Sequence, residues 1–289
     1  MAYSIEIIDA LNLLNNLTRQ SNAHKGHNGS IVCLGGSSGM AGAILLSAKS
    51  ALLSGAGVVH VWMMDANSYH VDPQSPEIMI HSCEGKIIQQ ITAINPACLV
   101  VGPGMQSDVI NIPMLVEILN LDIPLVIDAG ALNLISQNDD LLIQILNRQT
   151  FTVITPHPGE AARLLKTTAD EVQKNREKYC LKLNEKIHCT VILKGEHTLI
   201  ANDQNTIYQC NDGNPGMASA GMGDVLAGLI GSIIAQGKHY KIDAFNACLL
   251  AVQLHAKAAD QLLINGVGPI GLSASEVIYE VRSLLNRYN

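Results

Sequence analysis

The residues best suited to chemistry lie between positions 211 and 228 (NDGNPGMASAGMGDVLAG). Gly221, Met222 and Gly223 stand just before an apolar helical pattern expected from Asp224 to about residue 236. Glycine permits a sharp turn and lets the backbone approach a ligand closely. The N–H groups of a helix's first turn have no helical partner, and the macrodipole favours negative charge there. Such a turn suits a transferring phosphoryl group. A carboxylate at the helix start, Asp224, is then placed to take a proton from an attacking hydroxyl. The competing reading makes Asp224 a simple helix cap, a common role for aspartate.

Other polar side chains fall at expected strand ends. In residues 155–160 (TPHPGE), two prolines rigidify the turn and fix where His157 points. A histidine held by a local hydrogen bond is the alternative. Glu160 reads as a first-turn glutamate that complements the helix dipole. Lys194 ends a strand, where it either neutralises phosphate charge or sits in solvent. Asp128 either orders a substrate or hydrated Mg²⁺, or caps the next turn. The loop at 35–43 (GGSSGMAGA) lacks the GxGxxG spacing of a dinucleotide-binding turn, and no acidic residue ends a second strand at the required distance, although Asp65 comes near it. No HExxH, paired Cys/His spacing or phosphate-binding GxxxxGK[ST] motif occurs.

These groups need a scaffold, and the sequence alternates short β-branched runs with longer helical patterns. Strands are expected at 30–34, 58–61, 99–101, 124–128, 152–155 and 190–194. Helices are expected at about 42–53, 170–186, 224–236, 241–263 and 273–286. The polar stretch 64–87 reads as an excursion on the sheet rim. Alternation of this kind makes an α/β protein: one domain over residues 1–289, a mainly parallel sheet between helix layers. Ligands of open α/β sheets bind beyond the carboxyl ends of the strands, where the Gly, Asp and His residues cluster.

The composition agrees. Of the 289 residues, 48% are hydrophobic and 15% charged, which excludes disorder. Aromatics make up 3%, so the core is aliphatic, as in covered parallel sheets. A formal charge of −7 argues against bulk attraction to nucleic acid or an anionic membrane. The seven cysteines have no CxxC spacing and read as buried free thiols of a reducing compartment. The first residues, with Glu6 and Asp9, lack a signal-peptide pattern, and no apolar stretch long enough to span a membrane is free of charge or turn signals. The expected location is cytoplasmic.

Residues 213–228 (GNPGMASAGMGDVLAG) resemble the signature of the NAD(P)H-hydrate dehydratases, a ribokinase-like family. Four more segments agree in order: 29–43 (GSIVCLGGSSGMAGA), 101–104 (VGPG), 155–160 (TPHPGE) and 193–200 (LKGEHTLI). The resemblance runs from about His24 to Val281. It implies a ribokinase-like three-layer α/β/α sandwich. It also implies ADP- or ATP-dependent dehydration of the S epimer of NADH or NADPH hydrate, by phosphorylation of the C6 hydroxyl and loss of phosphate, with Mg²⁺ as cofactor. ADP is the expected donor.

By this resemblance Asp224 is the base and the amides of Gly221, Met222 and Gly223 stabilise the phosphoryl group. Ala43, Gly104, Asp128, Asn133, His157 and Asp224 contact the hydrate. Lys194, Gly195, Glu196, His197, Thr198 and Gly223 line the nucleotide site, and Glu160 holds Mg²⁺ through water. The epimerase that interconverts the hydrate epimers is expected on a separate protein, and the chain is expected to form a homo-oligomer, in the family a tetramer. Two positions depart from the pattern. The family has Ser or Thr where Met222 stands, and a second Asp where Gly130 stands. Two other readings stay open at this point: a small-molecule kinase of the same superfamily, and a nucleotide-binding protein that has lost turnover.

Overall fold

The computed structural model describes residues 3–202, 204 and 206–287. In chain order the elements are β1 (Ser4–Ile7), β2 (Ser30–Gly35), α1 (Ala41–Leu53), β3 (Val58–Met63), β4 (Met79–Ser82), α2 (Ile87–Ile94), β5 (Cys98–Val101) and α3 (Ile112–Leu119). Then come β6 (Leu125–Ile127), α4 (Ala129–Gln137), α5 (Asp139–Leu146), β7 (Thr152–Ile154), α6 (Pro158–Leu165), α7 (Ala169–Lys174) and α8 (Arg176–Ile187). The chain closes with β8 (Thr190–Leu193), β9 (Leu199–Ala201), β10 (Thr206–Gln209), α9 (Met222–Tyr240), α10 (Ala244–Ile264) and α11 (Ala274–Arg287).

One sheet runs through the molecule in the order β1-β10-β9-β8-β7-β6-β5-β2-β3-β4. Every pairing is parallel except those of β9, which runs antiparallel to β8 and β10. The central strands are apolar on both faces because both faces are covered. Successive side chains alternate between them. Ile31, Cys33, Cys98 and Val100 enter one core with α1, α9, α10 and α11. Val32, Leu34, Leu99 and Val101 enter the other, beneath the helices between β4 and β8. This is the three-layer α/β/α sandwich expected from the sequence.

The helix that carries Asp224 is gripped from one side by α1. At Gly228 a Cβ would lie 1.9 Å from the Ser47 carbonyl oxygen, so the two backbones touch there. Ser50 donates from Oγ to the Val225 carbonyl at 2.7 Å, and Ser232 donates to the Ala51 carbonyl at 2.9 Å. Small and hydroxylated residues thus hold the start of α9 at a set height above the sheet.

Several expectations need correction. The helix over 170–186 is two helices, because Asn175 leaves helical geometry (φ −137°, ψ 50°) and ends one while starting the other. The rim excursion 64–87 contains β4, paired in parallel with β3. Helix α9 begins at Met222 and continues to Tyr240. Lys241, read as the start of the next helix, is the left-handed cap that ends α9 (φ 56°), and α10 starts after Asp243, whose carboxylate accepts from Asn246 N at 2.9 Å. Helix α10 is long and apolar enough to cross a membrane by length and composition. It packs against α9 and α11, and 67% of its most apolar 18-residue stretch is buried inside the fold.

Candidate active site

The loops at the carboxyl ends of the central strands are tied to one another by backbone hydrogen bonds. Gly36 N donates to Pro103 O and Ser37 N to Gly104 O. Asp128 N donates to Val101 O, Thr155 N to Ile127 O and Lys194 N to Pro156 O. Five segments that carry candidate residues therefore form one connected rim.

At the centre of the rim the chain turns into α9. Gly221 has φ 88°, a left-handed conformation that glycine adopts without penalty. A Cβ there would also lie 2.6 Å from Leu46 Cδ1. After this turn Val225 N donates back to Gly221 O at 3.0 Å, which leaves the Met222, Gly223 and Asp224 amides as the helix's free first-turn donors. The Met222 side chain is buried in the core, so the turn presents its backbone and not that side chain. A hydroxyl at that position is not needed to build the anion-binding turn.

Three carboxylates and one ammonium surround it. Lys194 Nζ is 2.7 Å from Asp128 Oδ1, and Asp128 is 1% exposed. A Cβ on Gly223 would lie 3.0 Å from Lys194 Nζ, so the missing side chain is what lets the ammonium rest on the anion turn. Lys194 is thus a paired, largely buried cation and not a strand-end lysine in solvent. Burial opposes its charge, but Asp128, Glu160 and Asp224 together hold its pKa above the ordinary lysine value. Asp224 is pushed up to about 6 by burial first and then by Asp128; Lys194 opposes this and Glu160 adds to it. A carboxylate that titrates near 6 is ionised at neutral pH yet basic enough to accept a proton.

Asp128 Oδ2 is buried and has no hydrogen-bond partner, and it lies 3.8 Å from the Cβ position of Gly223. A bare buried carboxylate oxygen beside an anion turn fits a hydrated Mg²⁺. That ion is commonly held by one or two carboxylates together with phosphates and waters. Among the described residues no group of three or more His, Cys, Asp or Glu side chains converges on a common point. Glu160 is 5% exposed and already engaged: its Oε2 accepts from His157 N at 2.9 Å.

Glu160 and His157 cap α6 reciprocally, since Gly159 N donates to His157 Nδ1 at 3.0 Å. Accepting at Nδ1 leaves the proton of the neutral ring on Nε2, 3.4 Å from Glu160 Oε1. Burial lowers the His157 pKa; Glu160 opposes this, and Lys194 and Arg163 reinforce it. His157 is therefore a fixed neutral donor. The local readings of the sequence hold for these two residues, since both cap α6, and the fold sets both near the charge cluster.

Ala43 and Gly104 meet where their loops are joined, their Cβ positions 3.1 Å apart. Asn133, one turn into α4, accepts from Arg163 Nε at 2.9 Å. Gly130 cannot host the second aspartate expected of the family: a Cβ there would lie 1.8 Å from the Met105 carbonyl oxygen. The 102–107 loop fills the space that such a side chain needs.

The 194–198 turn is shaped from outside. Arg176 donates to the carbonyls of Leu193, Lys194 and His197 at 3.1, 3.2 and 3.5 Å. Thr198 Oγ1 closes the turn onto Gly195 O at 3.1 Å, while Glu196 and His197 line a cavity of about 470 Å³ with Tyr3, Lys174 and Arg176. The 211–217 loop is held by α10. Asp260 accepts from Gly213 N at 2.7 Å and from Asn214 Nδ2 at 3.0 Å, and Lys257 pairs with Asp212 at 2.9 Å. His255, also on α10, lies against the Met222 backbone, and burial drives its pKa down to about 4, so it is neutral. Apart from the local Thr198–Gly195 bond, none of these supports was visible in the sequence, because each partner is distant along the chain. Lys257 and Asp260, i and i+3 on one helical face, are the one signal that could have suggested a shared task.

The fold is a ribokinase-like α/β/α sandwich, and at its rim a buried carboxylate, Asp224, stands on a helix turn with free amides. The family model described as NAD(P)H-hydrate dehydratase matches residues 31–278, and the chain belongs to that family. It is 37% identical to the ADP-dependent (S)-NAD(P)H-hydrate dehydratase of Neisseria meningitidis, with 93% of this chain and 89% of that protein covered. It is 35% identical to the bifunctional NAD(P)H-hydrate repair enzyme of Coxiella burnetii, where the match covers 93% of this chain but 52% of that protein. The chain thus spans about half the length of its bifunctional relatives. The crystal structure of the ADP/ATP-dependent NAD(P)H-hydrate dehydratase from Bacillus subtilis, co-crystallised with ATP/Mg²⁺, superposes with a TM-score of 0.84 over the full length of both chains. At 24% identity that likeness shows the shared fold.

Proposed function

We propose that this protein dehydrates the S epimer of NADH or NADPH hydrate with ADP as phosphoryl donor, as its Neisseria relative's name states for that protein. The observation that carries the reading is Asp224, a carboxylate titrating near 6 on the first turn of α9, beside free amides and a buried Lys194–Asp128 pair. Hydroxide is a poor leaving group, so the C6 hydroxyl must first be activated. Asp224 takes its proton as the oxygen attacks the terminal phosphoryl group of ADP; the P–O bond to AMP breaks and a C6–O–P bond forms. The Met222–Asp224 amides and the Lys194 ammonium stabilise charge on the moving group. The C6–O bond then breaks as a proton leaves C5, the ring double bond returns and phosphate departs. Mg²⁺, held by Asp128 with help from Glu160, would neutralise donor phosphate charge. His157 donates from Nε2 to the hydrate, while Ala43, Gly104 and Asn133 border it. Lys194–Thr198 and Gly223 border the nucleotide.

The same reading places the protein in the cytoplasm and has a separate epimerase supply the S form. Exposed Ile264, Ile270 and Tyr279 on and beside the last two helices support self-association, which light scattering tests. The activity is tested by adding ADP or ATP with Mg²⁺ to the protein and S-configured NADPH hydrate. Return of NADPH absorbance with ADP supports the proposal. Return with ATP alone corrects the donor. No return with either, together with a stable phosphorylated product from another small alcohol, points to a kinase.

A further inference from the structure

Outside the phosphoryl-transfer cluster, Arg163 is aimed toward the His157 turn with no ion-pair partner among the described residues. Arg163 lies in the last turn of α6 and its side chain is exposed. Its Nε donates to Asn133 Oδ1 across the crevice between α6 and α4 at 2.9 Å. That bond orients the planar guanidinium, and neither Nη group meets an acceptor among the described residues. Nη1 lies 3.8 Å from the Cβ position of Gly159, on the side of His157. Because Gly159 has no side chain, the path from Arg163 to the His157 turn is clear.

We propose that Arg163, positioned by Asn133, is the residue that anchors a phosphate of the dinucleotide hydrate. The inference rests on the reading of His157 and Asn133 as hydrate-binding residues. The chemistry is specific. A guanidinium fixed through Nε presents two parallel N–H donors, the geometry that matches a phosphate bidentately. The hydrate carries a diphosphate in both its forms and a 2′-phosphate in one. In a chain with a net charge of −7, an exposed guanidinium held next to the His157 turn offers a polyanionic ligand a local positive charge. An arginine that merely complements the α6 dipole has no need of a bond to another helix.

The test uses Arg163→Gln and Arg163→Lys in the full chain, with both hydrates in turnover and with NADH and NADPH in direct binding followed by nicotinamide fluorescence. Binding needs no turnover, so it reads the site even if the dehydratase reading fails. Arg163→Gln is expected to raise KM for the hydrate and Kd for the reduced cofactor by about tenfold or more, with kcat and ADP affinity within about twofold. Arg163→Lys restores part of the loss, because the charge remains and the fork does not. Equal losses for both cofactor forms assign the anchor to the diphosphate; a loss confined to the phosphorylated form assigns it to the 2′-phosphate. Asn133→Ala, which frees the guanidinium, is expected to give a smaller rise in the same constants. Unchanged Kd and KM for both forms in Arg163→Gln would overturn the proposal.

Discussion

Asp224 must be charged to accept a proton, yet its surroundings disfavour charge, and its chemistry follows from that tension. With its carboxyl raised to about 6, activity is expected to fall as pH drops through 6, while an ordinary aspartate would hold until about 4. The kcat/KM profile against pH checks this. Asp224→Asn should lower kcat by roughly 10²–10⁴-fold, the span of general-base catalysis, with ADP binding nearly intact. Stability should move the other way. A carboxyl whose folded pKa lies above its unfolded value costs stability once ionised, so the cost is present above pH 6 and is relieved as pH falls toward 4. Asp224→Asn should therefore melt higher than the wild type at pH 8, with the gap closing below pH 5. Gly130 offers a second test at this scale. Restoring an aspartate there places its Cβ 1.8 Å from the Met105 carbonyl, so Gly130→Asp should destabilise by about 3 kcal/mol or more and should not raise activity. Denaturant unfolding and turnover of the same preparation decide it.

At the scale of elements, α1 and α10 matter as much as α9, because they set where its first turn sits. Gly228→Ala isolates the α1 contact. Helix propensity alone would make alanine better by about 1 kcal/mol. Overlap with the Ser47 carbonyl costs about 1–3 kcal/mol, so packing should win and the melting temperature should drop by a few degrees. Asp260→Ala should lower the melting temperature by a few degrees while kcat stays close to wild type, since it frees the Gly213–Asn214 turn without touching Asp224; thermal unfolding and steady-state kinetics check this. Legibility in the sequence divided along the same line. Strands such as β2, β5 and β8 were readable because they are short apolar runs buried on both faces. The break at Asn175 was not, because the chain there offers neither glycine nor proline and Arg176 answers to carbonyls of a distant loop. β4 and β10 are mixed sequences only partly buried, and owe their strand geometry to neighbours that only the fold supplies. Lys194 and His157 could be singled out from motifs at strand ends, and Asp224 from the glycine turn before its helix. The Lys194–Asp128 pair could not, since 66 residues separate its members.

For the whole molecule, one ten-stranded sheet places its loops in a single rim, and both cores lie beneath that rim. The central claim is that this rim makes the C6 oxygen of the hydrate a leaving group by joining it to phosphorus. Oxygen-18 at that hydroxyl follows the claim most directly. The protein, ADP and Mg²⁺ are mixed with labelled S-NADPH hydrate, and released phosphate and water are analysed by mass spectrometry. The label is expected to leave in phosphate, one atom for each NADPH restored and each AMP formed. Label appearing in water would contradict it, because the hydroxyl would then have left without ever being phosphorylated.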